Sequence, residues 1–336
     1  MKKKTKKKLY TLLFVAVVLC FTYFFNKDLF NELKNSVYEE IFEIPTEKVK
    51  DKDKDKNKDK DEPTISSTSI EKIDEVDKIE LTDDLTIFYL DVGQADSTLI
   101  KSQDKYMLID AGNNKDGKKL VNYFKNLGIE SFEYVVGTHA HEDHIGGMDD
   151  VIENFKIKNF YMPDDITTTK TFEDVLDSLE KNNVTFKTPE IGTKLKLGES
   201  NIEILYVAKD KEDLNDDSIV LKLTYKNTSF LFTGDATNNV EKEILDSNLE
   251  STILKVGHHG SKYSSSANFL TKVRPKYAII SCGKKNDYGH PHDITVQKLE
   301  KLNSKIYRTD ELGTIVAISD GDNITFKNIK TDTNGE

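Results

Sequence analysis

Residues 138–147 read THAHEDHIGG, which puts His139, His141, Asp143 and His144 within six positions. Imidazole is the commonest protein ligand for a borderline cation such as zinc, and carboxylates complete such sites. His139 and His141 stand two apart on a turn or extended stretch, so both rings can converge on one ion. Asp143 and His144 are adjacent and can face a second. Two ions about 3.5–4 Å apart clamp an in-line displacement at phosphorus or an addition at a carbonyl. The apolar FEYVVGTHA runs as a strand straight into this cluster.

Outward from it, the other four histidines form two more clusters, His258 and His259 in KVGHHGS and His290 and His292 in YGHPH. Asp235 ends the strand FLFTGDA. An isolated Asp there would ordinarily cap the next helix; beside the other candidates it reads as a bridge between two ions. From about Leu85 short strands and helices alternate, and every candidate ligand falls at the end of a strand or just after it. An α/β architecture places its site there, because strand ends are rigid and the loops are free to carry chemistry. The acidic KDKEDLNDDS reads as a surface loop. Spacing leaves open which of His258 and His259 binds metal and which serves the substrate or supports its neighbour. His290 and His292 flank Pro291, each as a general acid, a phosphate-binding donor or a structural histidine. Ser261 and Ser264 to Ser266 offer hydroxyls to phosphate or cap a turn, while Asp91, Gln94 and Asp96 suit supporting roles.

The run HAHEDH, with Asp110 in LIDAG before it and TGDA and GHHGS after it, resembles the H-x-H-x-D-H signature of the metallo-β-lactamase superfamily. That resemblance implies a four-layer αββα sandwich and two divalent ions, zinc or manganese, with a hydroxide nucleophile. It assigns His139, His141, Asp143, His144, Asp235 and the His258/His259 pair to the metals, with Asp110 behind the site. LDVGQADSTLI, NDDSIVLKL, KVGHHGSKYSSS, GKKNDYGHPH and YRTDELGTI are similar, in the same order, to the hydrolase domain of ComEC-type competence proteins, with Ala95 where that branch has Gly. The similarity runs from about Leu85 to Asp320 and includes none of the many membrane helices of the full competence channel. One departure concerns the first metal. The lactamase pattern has a further histidine before the Asp235 position, and here none lies between 145 and 257. Asn215, Asp216 or Asp217 is the candidate replacement, and β-lactam hydrolysis is correspondingly disfavoured.

The chain's beginning speaks to location. Six lysines precede seventeen uncharged residues, LYTLLFVAVVLCFTYFF at 9–25. That is the lower limit for a helix crossing about 30 Å of hydrocarbon. The lysines are expected to stay cytoplasmic and Tyr23, Phe24 and Phe25 to sit at the interface. The alternative is a cleaved signal; either way the remainder faces outside. Residues 26–84 form a juxtamembrane segment and a Lys/Asp-rich tether that cannot bury a core, leaving 85–330 as the hydrolase domain. Cys20 and Cys282 do not suggest a disulfide. Beyond Pro63 there are 33 Lys and Arg against 47 Asp and Glu, a net charge of −14. This acidity, with no basic-aromatic stripe evident, weighs against non-specific binding of polyanions. Three readings result: a membrane-anchored extracellular phosphodiesterase acting on DNA, a hydrolase of a small or cell-wall phosphoester such as phosphocholine or teichoic acid, and a catalytically inactive binding protein. No protein partner is defined.

Overall fold

All five residues of the strand Leu85–Tyr89 are buried, which requires cover on both faces of its sheet. Successive side chains point to opposite faces. Leu85, Ile87 and Tyr89 enter one core, and Phe88 enters another. The same alternation divides Leu108 from Met107 and Ile109, and Val316 from Ile315 and Ala317. In a second sheet Leu221, Phe230, Phe232 and Ile279 face the shared core, whereas Val220, Leu231, Leu254 and Ile280 face a third. Three parallel cores between two sheets and two outer helical layers make the four-layer αββα sandwich that the sequence predicts.

The computed structural model describes residues 74–75, 79–164, 167–208 and 211–329. The basic end, the apolar run at 9–25 and the Lys/Asp tract lie outside them. No helix of the described residues is long and apolar enough to cross a membrane. Among the described residues one main sheet has nine strands and the other seven, beside a two-stranded pairing of Ser131–Phe132 with Lys156–Ile157. Gly117–Asn126, Met148–Asn154 and Lys170–Lys181 cover the outer face of the first through Leu120, Phe124, Val151 and Val175. Asn238–Glu243, Ala267–Val273 and Asp293–Lys301 cover the second through Val240, Phe269, Leu270 and Leu299.

Each sheet contains a parallel block. Lys105–Ala111 pairs in parallel with Tyr134–Val136 in the first. Thr228–Phe232, Ile253–Lys255 and Tyr277–Ile280 run parallel in the second. The three histidine clusters and Asp235 follow the C-terminal ends of these strands, and the two sets of ends meet across the sandwich.

Two features depart from the sequence reading. The fold reaches upstream of Leu85: Asp74–Glu75 pairs with a final strand, Ile324–Ile329, and Ile79 is buried. The expected surface loop KDKEDLNDDS is not wholly one, because it ends in a 3-10 turn, Leu214–Asp217, in which Asp216 and Asp217 are buried.

Candidate metal centre and active site

The first half of the site begins with a slip in strand pairing. Ser97 lies opposite Ala111 but Thr98 opposite Ile109, so Asp110 is the extra residue of a bulge, at φ 58°. A bulge re-aims a side chain. Here Asp110 Oδ1 accepts the Thr138 N–H at 2.8 Å, and Oδ2 accepts the Thr138 hydroxyl at 2.8 Å and His144 Nδ1 at 2.9 Å. A carboxylate only accepts, so His144 Nδ1 donates and its Nε2 is left to face Asp235 Oδ2 at 3.3 Å. His144 reaches Asp110 because the helix Glu142–Ile145 lies directly on the strand end. Gly146 N–H donates to Gly112 O at 2.9 Å. A Cβ on Gly146 would stand 2.2 Å from Asn114 N, which is why that position tolerates only glycine. His139 Nε2 and His141 Nδ1 face each other at 3.0 Å, close to the spacing of two nitrogens on one zinc-sized ion.

The second sheet supplies the other half. Asp235 Oδ2 lies 3.3 Å from His144 Nε2, 3.6 Å from His259 Nε2 and 3.8 Å from His258 Nε2. His258 and His259 both adopt left-handed backbone, φ 51° and 53°. Two such non-glycine residues in succession are strained and persist only where the surroundings hold them. His259 Nδ1 donates to Ser281 O at 3.0 Å, directing Nε2 to Asp143 Oδ2 at 3.2 Å. A ligating histidine is commonly oriented by such a bond from its other nitrogen. The pair therefore divides: His259 is buried in a group with Asp143 and His144, while the half-buried His258 approaches Asp235 from the solvent side. His139, His144 and Asp235 form a second group, and Asp96, Asp110 and His144 a third.

The charges show what the cluster demands. Asp96, Asp110, Asp143 and Asp235 converge, and among the described residues the one lysine ammonium paired with this carboxylate set is Lys255 Nζ, 2.6 Å from Asp96 Oδ2 in a buried pair. Burial opposes ionisation of Asp235, yet His144, His259 and His258 hold it well below the usual carboxylate range. Burial also opposes a charge on His144, but Asp235, Asp110 and Asp143 raise it well above an ordinary histidine. His259 behaves alike, pushed up to about 10 by Asp235 and Asp96 against its own burial. His139 goes the other way, held well below the usual value by burial and by His144. In the protein alone, protons on His144 and His259 supply the positive charge this site requires. Asp235 Oδ1 is also buried with no hydrogen-bond partner, a costly state for a carboxylate oxygen that a bound cation would relieve. Imidazole and carboxylate donors of this kind fit zinc or manganese.

At the rim, Gln94 Oε1 accepts the Gly283 N–H at 3.1 Å, so its amide nitrogen donates to His290 Nδ1 at 3.3 Å. Burial and the neighbouring His259 and His258 lower His290 to about 4. It is therefore a neutral imidazole carrying its proton on Nε2. Its ring lies 5.6 Å from that of His258 and 6.1 Å from that of His259.

A model of the metallo-beta-lactamase superfamily matches residues 90–284. The chain belongs to that superfamily. It is 31% identical over 247 residues to ComE operon protein 3 of Bacillus subtilis, covering 67% of this chain and 32% of that protein. It is 28% identical over 232 residues to competence protein ComA of Neisseria gonorrhoeae, covering 67% of this chain and 31% of that protein. The chain thus spans about a third of the length of these relatives. Among solved structures, the metallo-beta-lactamase fold protein YhfI of Bacillus subtilis is 13% identical with a TM-score of 0.48, over 67% of this chain and 96% of that one.

Within this superfamily site the residues singled out from sequence divide clearly. His139, His141, Asp143, His144, Asp235, His258 and His259 come together, and Asp110 stands behind them. His141 and His258 lie outside the three potential ligand groups but reach the site through His139 Nε2 and Asp235 Oδ2, whereas Asn215, Asp216 and Asp217 join none of the groups. Asp216 instead accepts the Thr237 hydroxyl and the Asn239 amide. From that segment it is Ser218 that reaches the site, 3.4 Å from His139 Nδ1 and accepting the Asp235 N–H at 3.1 Å. Ser261 Oγ accepts the Tyr263 N–H, Ser264 bonds Ala236 O and Ser266 caps Ala267–Val273, so all three hydroxyls serve the turn. His292 takes the structural role: Nδ1 accepts the Lys262 N–H at 3.2 Å, and the residue caps Asp293–Lys301 by position. Sequence reasoning passes over Thr138, Ser218, Lys255 and Asn286. Only Thr138, inside the histidine motif, carries a signal in its position.

Proposed function

We propose that this chain is a metal-dependent phosphodiesterase that cleaves a nucleic-acid strand outside the cell while tethered through its N-terminal segment. The observation that carries the reading is the meeting at Asp235 of donors from both sheets, His139 and His144 from the first and His259 from the second. His139, His141 and Asp235 would hold one divalent ion, and Asp143, His144 and His259 the other. When bound, such ions supply Lewis acidity toward phosphate oxygens and make water a nucleophile at neutral pH. Asp110 and Ser281 O fix the orientations of His144 and His259. His290, neutral with its proton on Nε2, donates a hydrogen bond to a phosphate oxygen; of the two active roles read from sequence, this suits a group with so low a pKa better than acid catalysis. The similarity to relatives named for competence supports nucleic acid as the substrate. The acidity of the region beyond Pro63 favours a small or cell-wall phosphoester, which the same assay distinguishes.

The test is turnover of bis(p-nitrophenyl) phosphate, DNA, a phosphocholine ester and a chromogenic β-lactam by the full-length protein with zinc or manganese. His141→Ala with Asp143→Ala is expected to lower phosphodiester turnover by at least about 10²–10³-fold, the cost of losing preorganised charge stabilisation, with an unchanged circular dichroism spectrum. Equal turnover by this variant would reject the assignment, and an inactive parent protein would favour the binding-protein reading. The tether is tested separately: protease added to intact cells should cut within the Lys/Asp tract and release the hydrolase domain.

A further inference from the structure

Among the large hydrophobic residues exposed in the described part of the chain, Tyr288 at 68% and Tyr263 at 60% both border the site. The Tyr288 ring stacks beside His290, 5.6 Å between centroids and 20° between planes. His290 is 5.0 Å from the ring of His292, whose Nδ1 accepts the Lys262 N–H. Lys262 immediately precedes Tyr263 and places its ammonium 5.2 Å over that ring. The two exposed rings are therefore linked through the rim histidines. The loop bearing Tyr288 is pinned. Asn286 Oδ1 accepts the His290 N–H at 2.9 Å, its amide donates to Gly283 O at 2.9 Å and His290 O at 2.6 Å, and Gly283 is itself bonded to Gln94. A loop this firmly tied that still keeps an aromatic ring in solvent holds that ring ready for something outside the protein.

Charge points the same way. Residues 251–292 carry seven Lys and Arg and one acid, Asp287, within a region whose net charge is strongly negative. Lys255 is committed to Asp96 and Arg274 to Glu250. Lys272, Arg274 and Lys276 precede the strand Tyr277–Ile280, at the end away from the site. Lys262, Lys284 and Lys285 remain exposed at the rim. The sequence reading finds no basic-aromatic stripe because these residues form two short segments, 262–263 and 284–288, that the fold links through His290 and His292.

Resting on the phosphodiesterase reading, we propose that Tyr288 and Tyr263, with Lys262, Lys284 and Lys285, form a platform that stacks the bases of a single-stranded nucleic acid and steers its backbone phosphates toward the metal centre. An exposed ring flanked by cations suits single strands, since every base offers a flat face and the backbone offers charge. A quaternary ammonium is disfavoured, because three lysines repel it and one already occupies the face of Tyr263. A polyol phosphate has no flat face to stack. A duplex keeps its bases inside.

The test uses full-length protein carrying His141→Ala and Asp143→Ala, to prevent cleavage, and fluorescence anisotropy of labelled strands. A single-stranded oligodeoxynucleotide is compared with an abasic deoxyribose-phosphate strand of equal length, a duplex and a polyglycerol phosphate. The base-bearing single strand is expected to bind most tightly. Tyr288→Ala should weaken it roughly 5- to 150-fold, the range for one base stacked on one ring, leave the abasic strand unaffected, and be rescued by Tyr288→Phe. Lys284→Glu with Lys285→Glu should weaken both strands and flatten the salt dependence. Equal affinity for base-bearing and abasic strands overturns the platform without altering Tyr288 at all, as does a Tyr288→Ala variant that binds normally, and so does absence of binding. Turnover of the chromogenic diester by the parent protein is read independently. Turnover without base-dependent binding removes the platform alone, and base-dependent binding without turnover removes the phosphodiesterase reading alone.

Discussion

Asp110 touches no substrate, yet two hydrogen bonds from Thr138 and one from His144 make it the pivot of the first-sheet half of the site. Asp110→Asn keeps its volume and removes the charge that helps hold the His144 proton on Nδ1. Metal affinity is expected to fall about 10- to 100-fold, the usual cost of losing a ligand-orienting partner, as measured by competition with a chromophoric chelator. Lys255 and Asp96 make a different prediction. Both are buried, and Asp96 Oδ1 also lies 3.2 Å from His259 Nδ1. Lys255→Met would leave a buried carboxylate without its cation, at about 3–5 kcal/mol, seen as a lower urea midpoint. Adding Asp96→Leu should recover most of that loss, since the penalty lies in the uncompensated charge.

At the scale of elements, the close approach of Gly146 to Asn114 makes Gly146→Ala a test of how the short helix Glu142–Ile145 is seated. The added methyl should cost about 1–3 kcal/mol of stability through overpacking and lift His144 from Asp110, so urea midpoint and metal affinity should fall together. Much of this architecture is legible in the sequence because few residue types ligate metals and because buried strands are written as apolar runs. His139, Asp235 and His259 all follow such runs. What is not legible depends on neighbours distant in sequence. Ser218 matters because the segment leading into the strand Val220–Tyr225 is set beside the histidine loop, with Ile219 N–H donating to Thr138 O at 2.9 Å. The final strand, Ile324–Ile329, has only one fully buried residue, Asn328, so its hydrophobic pattern is weak. KDKEDLNDDS resembles a solvated loop in composition, yet its Asp216 is held inside by Thr237 and Asn239, residues some twenty positions onward.

For the molecule as a whole, the same charges give a pH signature in metal-free protein. The folded pKa of His259, about 10, lies above its ordinary value of 6.5. Its contribution is therefore complete below about pH 6.5 and disappears as pH rises toward 10. Asp143, held near 2 against its own burial, by His144 and by a hydrogen bond from His259, contributes above its ordinary 3.8 and is lost in acid below that. Thermal melts in a chelator should thus be highest between about pH 4 and 6.5 and decline on either side. Metal uptake must displace the histidine protons, so apparent affinity should strengthen from pH 6 to 9, with proton release visible to an indicator dye in weak buffer. A chelator-treated melt that rises between pH 7 and 10 would contradict the charge assignment.

The division of the ligands between two sheets has a mechanical corollary. Asp143 and His144 extend from one sheet, Asp235 and His259 from the other, and between the sheets lies a shared apolar core. An ion gripping both sets would act as a rivet through the seam. Saturating such a site a hundredfold above its dissociation constant adds about 2.7 kcal/mol to stability. Stripping it should speed amide exchange first along the seam-facing strands Tyr134–Val136 and Thr228–Phe232. The supply of divalent cation would then set how long each molecule lasts as well as whether it works.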